Sequence, residues 1–188
     1  MLKTSIALFA MLFVLSGCKQ QDDTVVLRIG HALDEQHSVH KAMAYMGERL
    51  ALYSDNKMQI VLYPSAQLGS EREMLELLQI GSLAMTKVSA AAIEGFVPEM
   101  KIYGVPYLFK DNDHRWAVLQ GDVGKRILES VDKAHLKGMG YYDAGSRSFY
   151  TTEQRVEVPP DLQGQKIRVM QSPSAVSMVN TMGGTATP

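Results

Sequence analysis

The chain has 188 residues, a formal net charge of -1 at pH 7 and 46% hydrophobic residues. This near-neutral balance excludes the strongly basic surface of a nucleic-acid-binding protein and a long acidic tail. The hydrophobic content is sufficient for a packed core, and the length allows one large domain or two small ones.

The N-terminal segment has the features of a secretory signal. Lys3 supplies a positive charge, and residues 5–15 form an apolar run. As a helix this run would rise only about 16 Å, too little for a hydrocarbon core of about 30 Å. Residues 1–17 are therefore predicted to be a signal peptide that sends the protein out of the cytoplasm, towards the periplasm or the external medium.

The end of this signal resembles the lipobox of bacterial lipoproteins, with the sequence Leu15-Ser16-Gly17-Cys18. The resemblance implies that Cys18 carries lipid, becomes the mature N-terminus and anchors the protein to a membrane. Cys18 is the only cysteine, so no disulfide can form within the chain. Residues 18–24 are predicted to be a short polar tether.

Beyond the tether, the hydrophobic pattern predicts alternating strands and helices. Strands are predicted at 25–30, 58–63, 83–89, 138–143 and 166–169, and helices at 37–53, 71–80, 113–131 and 174–182. Residues 90–100 are predicted to be helix followed by loop, 105–109 extended, and 183–188 a loop entering a further strand. Ser70 and Glu73 have the spacing of a capping box. The alternation predicts an α/β fold with a largely parallel sheet.

Five segments carry a family resemblance when they are taken in chain order. They read QLGSEREMLELLQIGSLAMTKVS, GVPYLF, GSRSFYTT, DLQGQKIRVMQSP and MGGTATP, and the resemblance extends over residues 25–188. Together they closely resemble the solute-binding proteins of tripartite ATP-independent periplasmic (TRAP) transporters, the DctP family. GHALDEQH, KVS and GSRSFYT are most similar to the branch that handles sugar acids such as uronates and diketogulonate.

The resemblance implies two α/β lobes of the type II-like periplasmic binding architecture, joined by a hinge. Lobe 1 is predicted at 25–144 and the start of lobe 2 at 145–188. Family members of this kind are longer, so we expect the second lobe to be incomplete. We also expect this chain alone to be poorly soluble and to bind ligand weakly or not at all.

The family also implies a role for two arginines. Arg168 is at the position of the arginine that holds the substrate carboxylate, and Arg147 matches a second arginine that many members direct at the ligand. A planar guanidinium donates two parallel hydrogen bonds to a carboxylate, which lysine cannot reproduce. The alternatives are a solvated surface arginine at 168 and an interlobe or surface ion pair at 147.

Three further positions are candidate ligand contacts by the same resemblance. Glu71 could accept hydrogen bonds from ligand hydroxyls, although an acidic residue in a first helical turn is also favoured by the helix dipole. Ser89 could bind ligand or cap the next segment. His31 follows the first strand and could line the cleft or lie on the surface. Lys87, two residues before Ser89 and on the same face of the strand, could add positive charge for an acid, but it is expected to be solvated.

The sequence shows no signature of an enzyme or a metal site. It has no nucleophile elbow, phosphate-binding glycine loop or zinc motif, and His37 and His40 lack a third ligand at a recognisable spacing. We therefore expect no cofactor and no catalysis. The expected function is capture of a small carboxylate by a monomer that delivers it to a TRAP membrane permease. A sensory module serving a receptor is the alternative, followed by a periplasmic sugar-acid enzyme.

Overall fold

The computed structural model describes residues 24–152 and 154–188, so the predicted signal peptide and Cys18 lie outside the described residues. Three parallel strands form the first sheet, in the order β2–β1–β3. They are β1 (Val25–His31), β2 (Met58–Tyr63) and β3 (Met85–Lys87). A second, two-stranded parallel sheet contains β4 (Lys166–Arg168) and β5 (Thr185–Thr187). The predicted α/β class with parallel strands is confirmed.

Six α-helices connect and flank these strands in the described part of the chain. They are α1 (Ser38–Tyr53), α2 (Glu71–Gln79), α3 (Ala90–Ile93), α4 (Asn112–Gln120), α5 (Asp122–Glu129) and α6 (Pro173–Thr181). Short 3₁₀ helices occur at Pro98–Gly104, Ser130–Ala134 and Pro159–Leu162. Helices α1, α2 and α6 each connect two parallel strands, as a crossover between parallel strands of one sheet requires. None of the helices described is long and apolar enough to span a bilayer.

The start of α2 confirms the predicted capping box. The Ser70 hydroxyl accepts the N–H of Glu73 at 3.3 Å, and a Glu73 carboxylate oxygen accepts the N–H of Ser70 at 2.7 Å. This exchange satisfies two backbone donors that the first helical turn would otherwise leave unpaired. The capping box therefore sets where α2 begins and places Glu71 in its first turn.

Two hydrophobic clusters hold the first sheet and its surrounding helices together. Ile29 of β1 packs with Val39 and Met43 of α1, and each of the three is at most 3% exposed. The second cluster joins Leu75 of α2 with the later helical segments; its other buried members are Ile93, Val97, Met100, Val131 and Ala134. Burial of each large side chain is worth about 1.5–3 kcal/mol, so these clusters are the main stabilising contribution around the site.

Three predicted elements differ in the structure. Residues 105–109 are not extended, because they form a turn in which Tyr107 has a φ of 57°. Residues 138–143 form no strand, because no neighbouring strand in the described chain pairs with them. Instead Tyr141 donates its hydroxyl to the carbonyl of Gly124 at 2.7 Å. The helical tract at 113–131 is divided at Gly121, whose extended backbone ends α4 before α5 begins. A β-carbon at Gly121 would lie 2.8 Å from the carbonyl oxygen of Ala117, so a larger residue would not fit there unchanged.

Candidate functional site

The candidate site lies at the carboxyl edge of the first sheet. Strand β1 ends at His31 and β3 at Lys87, and these two residues are partners in the parallel register. Ser89 follows β3 directly, and Glu71 opens α2. Parallel strands bring their carboxyl ends to one edge, which is where open α/β sheets bind ligands. The fold therefore brings three of the five predicted residues, His31, Glu71 and Ser89, to a common edge.

Glu71 and Ser89 are bound directly to each other. The Glu71 carboxylate accepts the Ser89 backbone N–H at 3.0 Å and the Ser89 hydroxyl at 2.6 Å. Ser89 also caps α3 by accepting the N–H of Ala92 at 3.4 Å. Ser89 therefore acts as a helix cap in this structure, which is one of its two predicted roles. Glu71 is not merely an acidic residue favoured by the helix dipole, because its carboxylate binds Ser89.

Lys87 differs from the expectation of a solvated side chain. Its ammonium lies 3.6 Å from a Glu71 carboxylate oxygen, and the two side chains are only 11% and 12% exposed. Lys87 is the last residue of β3, and its contact with Glu71 holds the ammonium at the carboxyl edge of the sheet. The result is an ion pair within the site, with one positive and one negative group largely shielded from water.

His31 is fully buried, at 0% exposure, and is bound to a second histidine. Its Nδ1 accepts the N–H of Leu33 at 3.2 Å, so the ring proton belongs on Nε2, which lies 3.0 Å from Nδ1 of His40. Burial, followed by the charges of His40, Lys87 and His37, lowers the pKa of His31. His31 is thus held as a neutral imidazole inside the fold, and the surface-loop alternative does not describe it.

Arg147 approaches this edge through a methionine. The guanidinium of Arg147 donates from Nη2 to the thioether sulfur of Met170, and the same sulfur lies 3.5 Å from the Ser89 hydroxyl oxygen. A thioether is a weak acceptor. Arg147 is exposed. Met170 therefore lies between Arg147 and Ser89, the hydrogen-bond partner of Glu71. A stronger acceptor than the Met170 sulfur could take its place at the Arg147 guanidinium.

Arg168 lies at the end of β4, two residues before Met170, with Thr187 as its partner in the register. Its side chain is exposed. Across residues 24–152 and 154–188, neither Arg168 nor Arg147 takes part in a salt bridge. No ion pair is therefore observed at Arg147 in this part of the chain, and apart from the weak contact of Arg147 with Met170 both guanidinium groups keep donors for another acceptor.

A separate polar contact links the end of α3 with the start of α6. The sequence did not predict this contact. Glu94, which follows α3, accepts hydrogen bonds from Ser172 and Ser174 at the start of α6. The Ser172-Pro173 pair is a recognisable helix start. No local pattern could connect it with a glutamate 78 residues earlier in the chain.

One concavity, next to the aromatic segment 105–109, contains none of these residues. It has a volume of about 250 Å³ and lies between the 105–109 segment and α4; its lining is Val105, Tyr107, Leu108, Phe109, Asp111, Asn112 and Arg115. None of the predicted ligand residues lines it. The candidate site at the edge of the first sheet is therefore separate from this concavity.

Comparison with known proteins identifies the family. Residues 29–188 match DctP, the bacterial extracellular solute-binding protein family 7. The uncharacterized protein YiiZ of Salmonella typhimurium is 33% identical over 84% of this chain and 48% of its own length. The 2,3-diketo-L-gulonate-binding periplasmic protein YiaO of Escherichia coli is 28% identical over 86% of this chain and 49% of its own. The chain thus spans about half the length of the curated relatives it matches.

Solved structures show the same fold. A TRAP periplasmic solute-binding protein from Bradyrhizobium, in complex with D-galacturonate, is 36% identical with a TM-score of 0.81, over 86% of this chain and 54% of that one. One from Anaerococcus prevotii, with bound D-glucuronate, is 36% identical with a TM-score of 0.84, over 88% and 54%. The chain belongs to the DctP family of bacterial extracellular solute-binding proteins.

Proposed function

We propose that this protein captures a small organic acid outside the cytoplasm and delivers it to the membrane permease of a TRAP transporter. The observation that carries the proposal is the pair of exposed arginines, Arg147 and Arg168, neither of them in a salt bridge in the described part of the chain. Met170, two residues after Arg168, contacts Arg147 and places it beside the polar edge of the first sheet.

The chemistry of these groups fits a carboxylate. A guanidinium and a carboxylate form two parallel, charge-assisted hydrogen bonds, which are stronger and more directional than a neutral hydrogen bond. A carboxylate is also a far better acceptor than the thioether sulfur that Arg147 now contacts. The ligand would therefore displace Met170 from Arg147 without having to break an existing ion pair.

The other end of the ligand would face the first sheet. There the Glu71 carboxylate and the Lys87 ammonium lie 3.6 Å apart, with the Ser89 hydroxyl beside them. A sugar acid offers hydroxyls that can both donate and accept, which suits a site with both charges. The galacturonate and glucuronate bound by the two similar structures support a uronate or related acid, with a dicarboxylate as the simpler alternative.

The proposed mechanism is closure of two lobes on the ligand, the first at 25–144 and the second beginning at 145. A ligand that contacts both lobes favours the closed form by its differential affinity for that form. No bond is made or broken, so we propose a carrier and not an enzyme. We further propose that Cys18 carries lipid, that the protein is a membrane-anchored monomer in the periplasm, and that His31 lies near the bound ligand.

A thermal-shift screen tests the proposal. A soluble form that begins at Lys19 and continues to the end of the reading frame is screened with galacturonate, glucuronate, gluconate, succinate and pyruvate. At least one acid should raise the unfolding midpoint, and Arg147→Ala should reduce that rise. Arg155→Ala is the matched control, because Arg155 is exposed and, among the described residues, forms its ion pair with neighbouring Glu157. Stabilisation by no acid, or equal stabilisation of the Arg147 variant, would contradict the proposal.

A further inference from the structure

The carboxylate of Glu94 is buried at the start of α6. Glu94 is 6% exposed and Ser172, the residue that caps α6, is 2% exposed. One carboxylate oxygen accepts the Ser174 backbone N–H at 3.0 Å. The other accepts the hydroxyls of Ser172 at 2.5 Å and of Ser174 at 2.6 Å. Three donors on one short turn therefore surround a single charge.

The hydrogen bonds from Ser172 and Ser174 to the buried carboxylate of Glu94 form a strong contact. A buried carboxylate is tolerated only where hydrogen bonds replace its lost hydration, and charge-assisted bonds of this kind are about twice as strong as neutral ones. The positive end of the α6 dipole adds to the attraction. Burial alone would raise the pKa of Glu94, but the bonds from Ser172 and Ser174 outweigh it and lower the pKa. The group is therefore held as a carboxylate.

The contact links two distant parts of the chain. Glu94 follows α3, which extends from the first sheet, whereas Ser172 and Ser174 follow β4 of the second sheet. The 3₁₀ helix Pro98–Gly104 also packs here, since a β-carbon built on Gly104 would lie 3.4 Å from the Ser174 hydroxyl. Only three residues separate Arg168 from Ser172. Whatever fixes Ser172 also fixes the short segment that carries Arg168 and Met170.

We propose that Glu94 is a positioning residue for ligand binding: through Ser172 and Ser174 it holds the 168–172 segment, and with it Arg168, against the part of the chain that follows the first sheet. The inference rests on the proposed function. The inference also gives different roles to two contacts that join the region after the first sheet with the region after β4. The buried contact of Glu94 with Ser172 and Ser174 stays in place when ligand binds, whereas the weak contact between Ser89 and Met170 changes.

The test is a double-mutant cycle between Glu94 and Arg168, read as the dissociation constant for galacturonate on the soluble form beginning at Lys19. Glu94→Gln removes the charge but keeps the size of the side chain. It should weaken binding about tenfold or more, the scale of coupling between connected residues. In an Arg168→Ala background the same change should alter affinity less than about twofold, because the arginine that Glu94 positions is absent.

Glu157→Gln is the matched control. Glu157 is an exposed glutamate outside the proposed site, and within the described residues its carboxylate pairs with neighbouring Arg155. It should leave the affinity within about threefold of the parent, with or without Arg168. Ser174→Ala, which keeps the backbone hydrogen bond to Glu94, serves if Glu94→Gln does not fold. It should show the same dependence on Arg168 at a smaller magnitude.

The outcomes separate the two proposals. If the parent binds galacturonate and Arg168→Ala weakens it, but Glu94→Gln and Ser174→Ala do not, the positioning role is overturned and the proposed function stands. Equal effects of Glu94→Gln with and without Arg168 would also overturn it, since a purely structural role predicts additive losses. If the parent binds no acid in the screen above, the proposed function fails and the positioning role fails with it.

Discussion

The carboxylate of Glu71 accepts both the backbone N–H and the hydroxyl of Ser89, at 3.0 and 2.6 Å, across 18 residues of sequence. The contact ties the start of α2 to the end of β3 and leaves Lys87 as the second partner of the carboxylate. Glu71 is therefore ordered before any ligand arrives, and its oxygens are directed towards the edge of the sheet at little further entropic cost.

Replacement of Ser89 by alanine should destabilise the protein. The change removes the α3 cap and one of the two donors to Glu71, and loss of a helix cap alone costs about 0.5–2 kcal/mol. The free energy of unfolding in urea measures the effect. Ser82→Ala is the control, because Ser82 is exposed and its hydroxyl makes no hydrogen bond within the described residues. An Ser89 variant as stable as the parent would show that the Glu71 contact contributes nothing.

The stabilising effect of Glu94 should depend on pH in a defined direction. Its pKa in the folded protein is lowered below the ordinary value of 4.5, so the unfolded chain binds the proton more readily. The contribution is therefore fully present above about pH 4.5 and is lost as the pH falls through the folded pKa. The measurement is the free energy of unfolding of the parent and of Glu94→Gln between pH 7 and 3. The difference between the two free energies should become smaller as the pH falls. A difference that does not change with pH would contradict the lowered pKa of Glu94.

His31 should make the protein less stable in mild acid. Its pKa in the folded protein is lowered below 6.5 by burial and then by His40, Lys87 and His37, whereas in the unfolded chain it takes up a proton near the ordinary value. Stability should therefore fall as the pH drops below about 6.5. His31→Gln retains an N–H near the Nε2 position and does not titrate.

The measurement is the slope of the unfolding free energy between pH 7.5 and 5.5 for parent, His31→Gln and, as a control, His135→Gln, whose native side chain is exposed. We expect a shallower slope in His31→Gln only, whatever its absolute stability. The same slope in the parent and His31→Gln would mean that His31 takes up a proton as readily in the folded protein as in the unfolded chain, which would contradict a buried, neutral imidazole at this position.

Much of the first sheet follows from local signals in the sequence. The run MQIVLY predicts β2 with the bounds that the structure gives, and Ser70 with Glu73 predicts the start of α2. The break at Gly121 was missed because the hydrophobic spacing continues across it. The absence of a strand at 138–143 depends on a pairing partner, which a single segment of sequence does not report.

The sequence predicted which residues lie at the edge of the first sheet, but it did not predict the contacts between them. The positions of Glu71 and Ser89 at one edge follow from strand order, but the bond between them depends on side-chain geometry. The burial of His31 and the pairing of Lys87 were not expected, because each depends on tertiary neighbours. The ligand roles of Arg147 and Arg168 stay predictions, taken from family resemblance and consistent with their exposure.

Calorimetric titration of galacturonate and glucuronate into the parent, Arg168→Ala and Arg168→Lys tests the central claim most directly. Loss of one partner of a desolvated charge pair costs about 2–5 kcal/mol, so Arg168→Ala should weaken binding by roughly thirtyfold to several thousandfold. Lysine keeps the charge but not the two parallel hydrogen bonds, so it should restore only part of the affinity. Tight binding of a uronate that survives in Arg168→Ala would contradict the account.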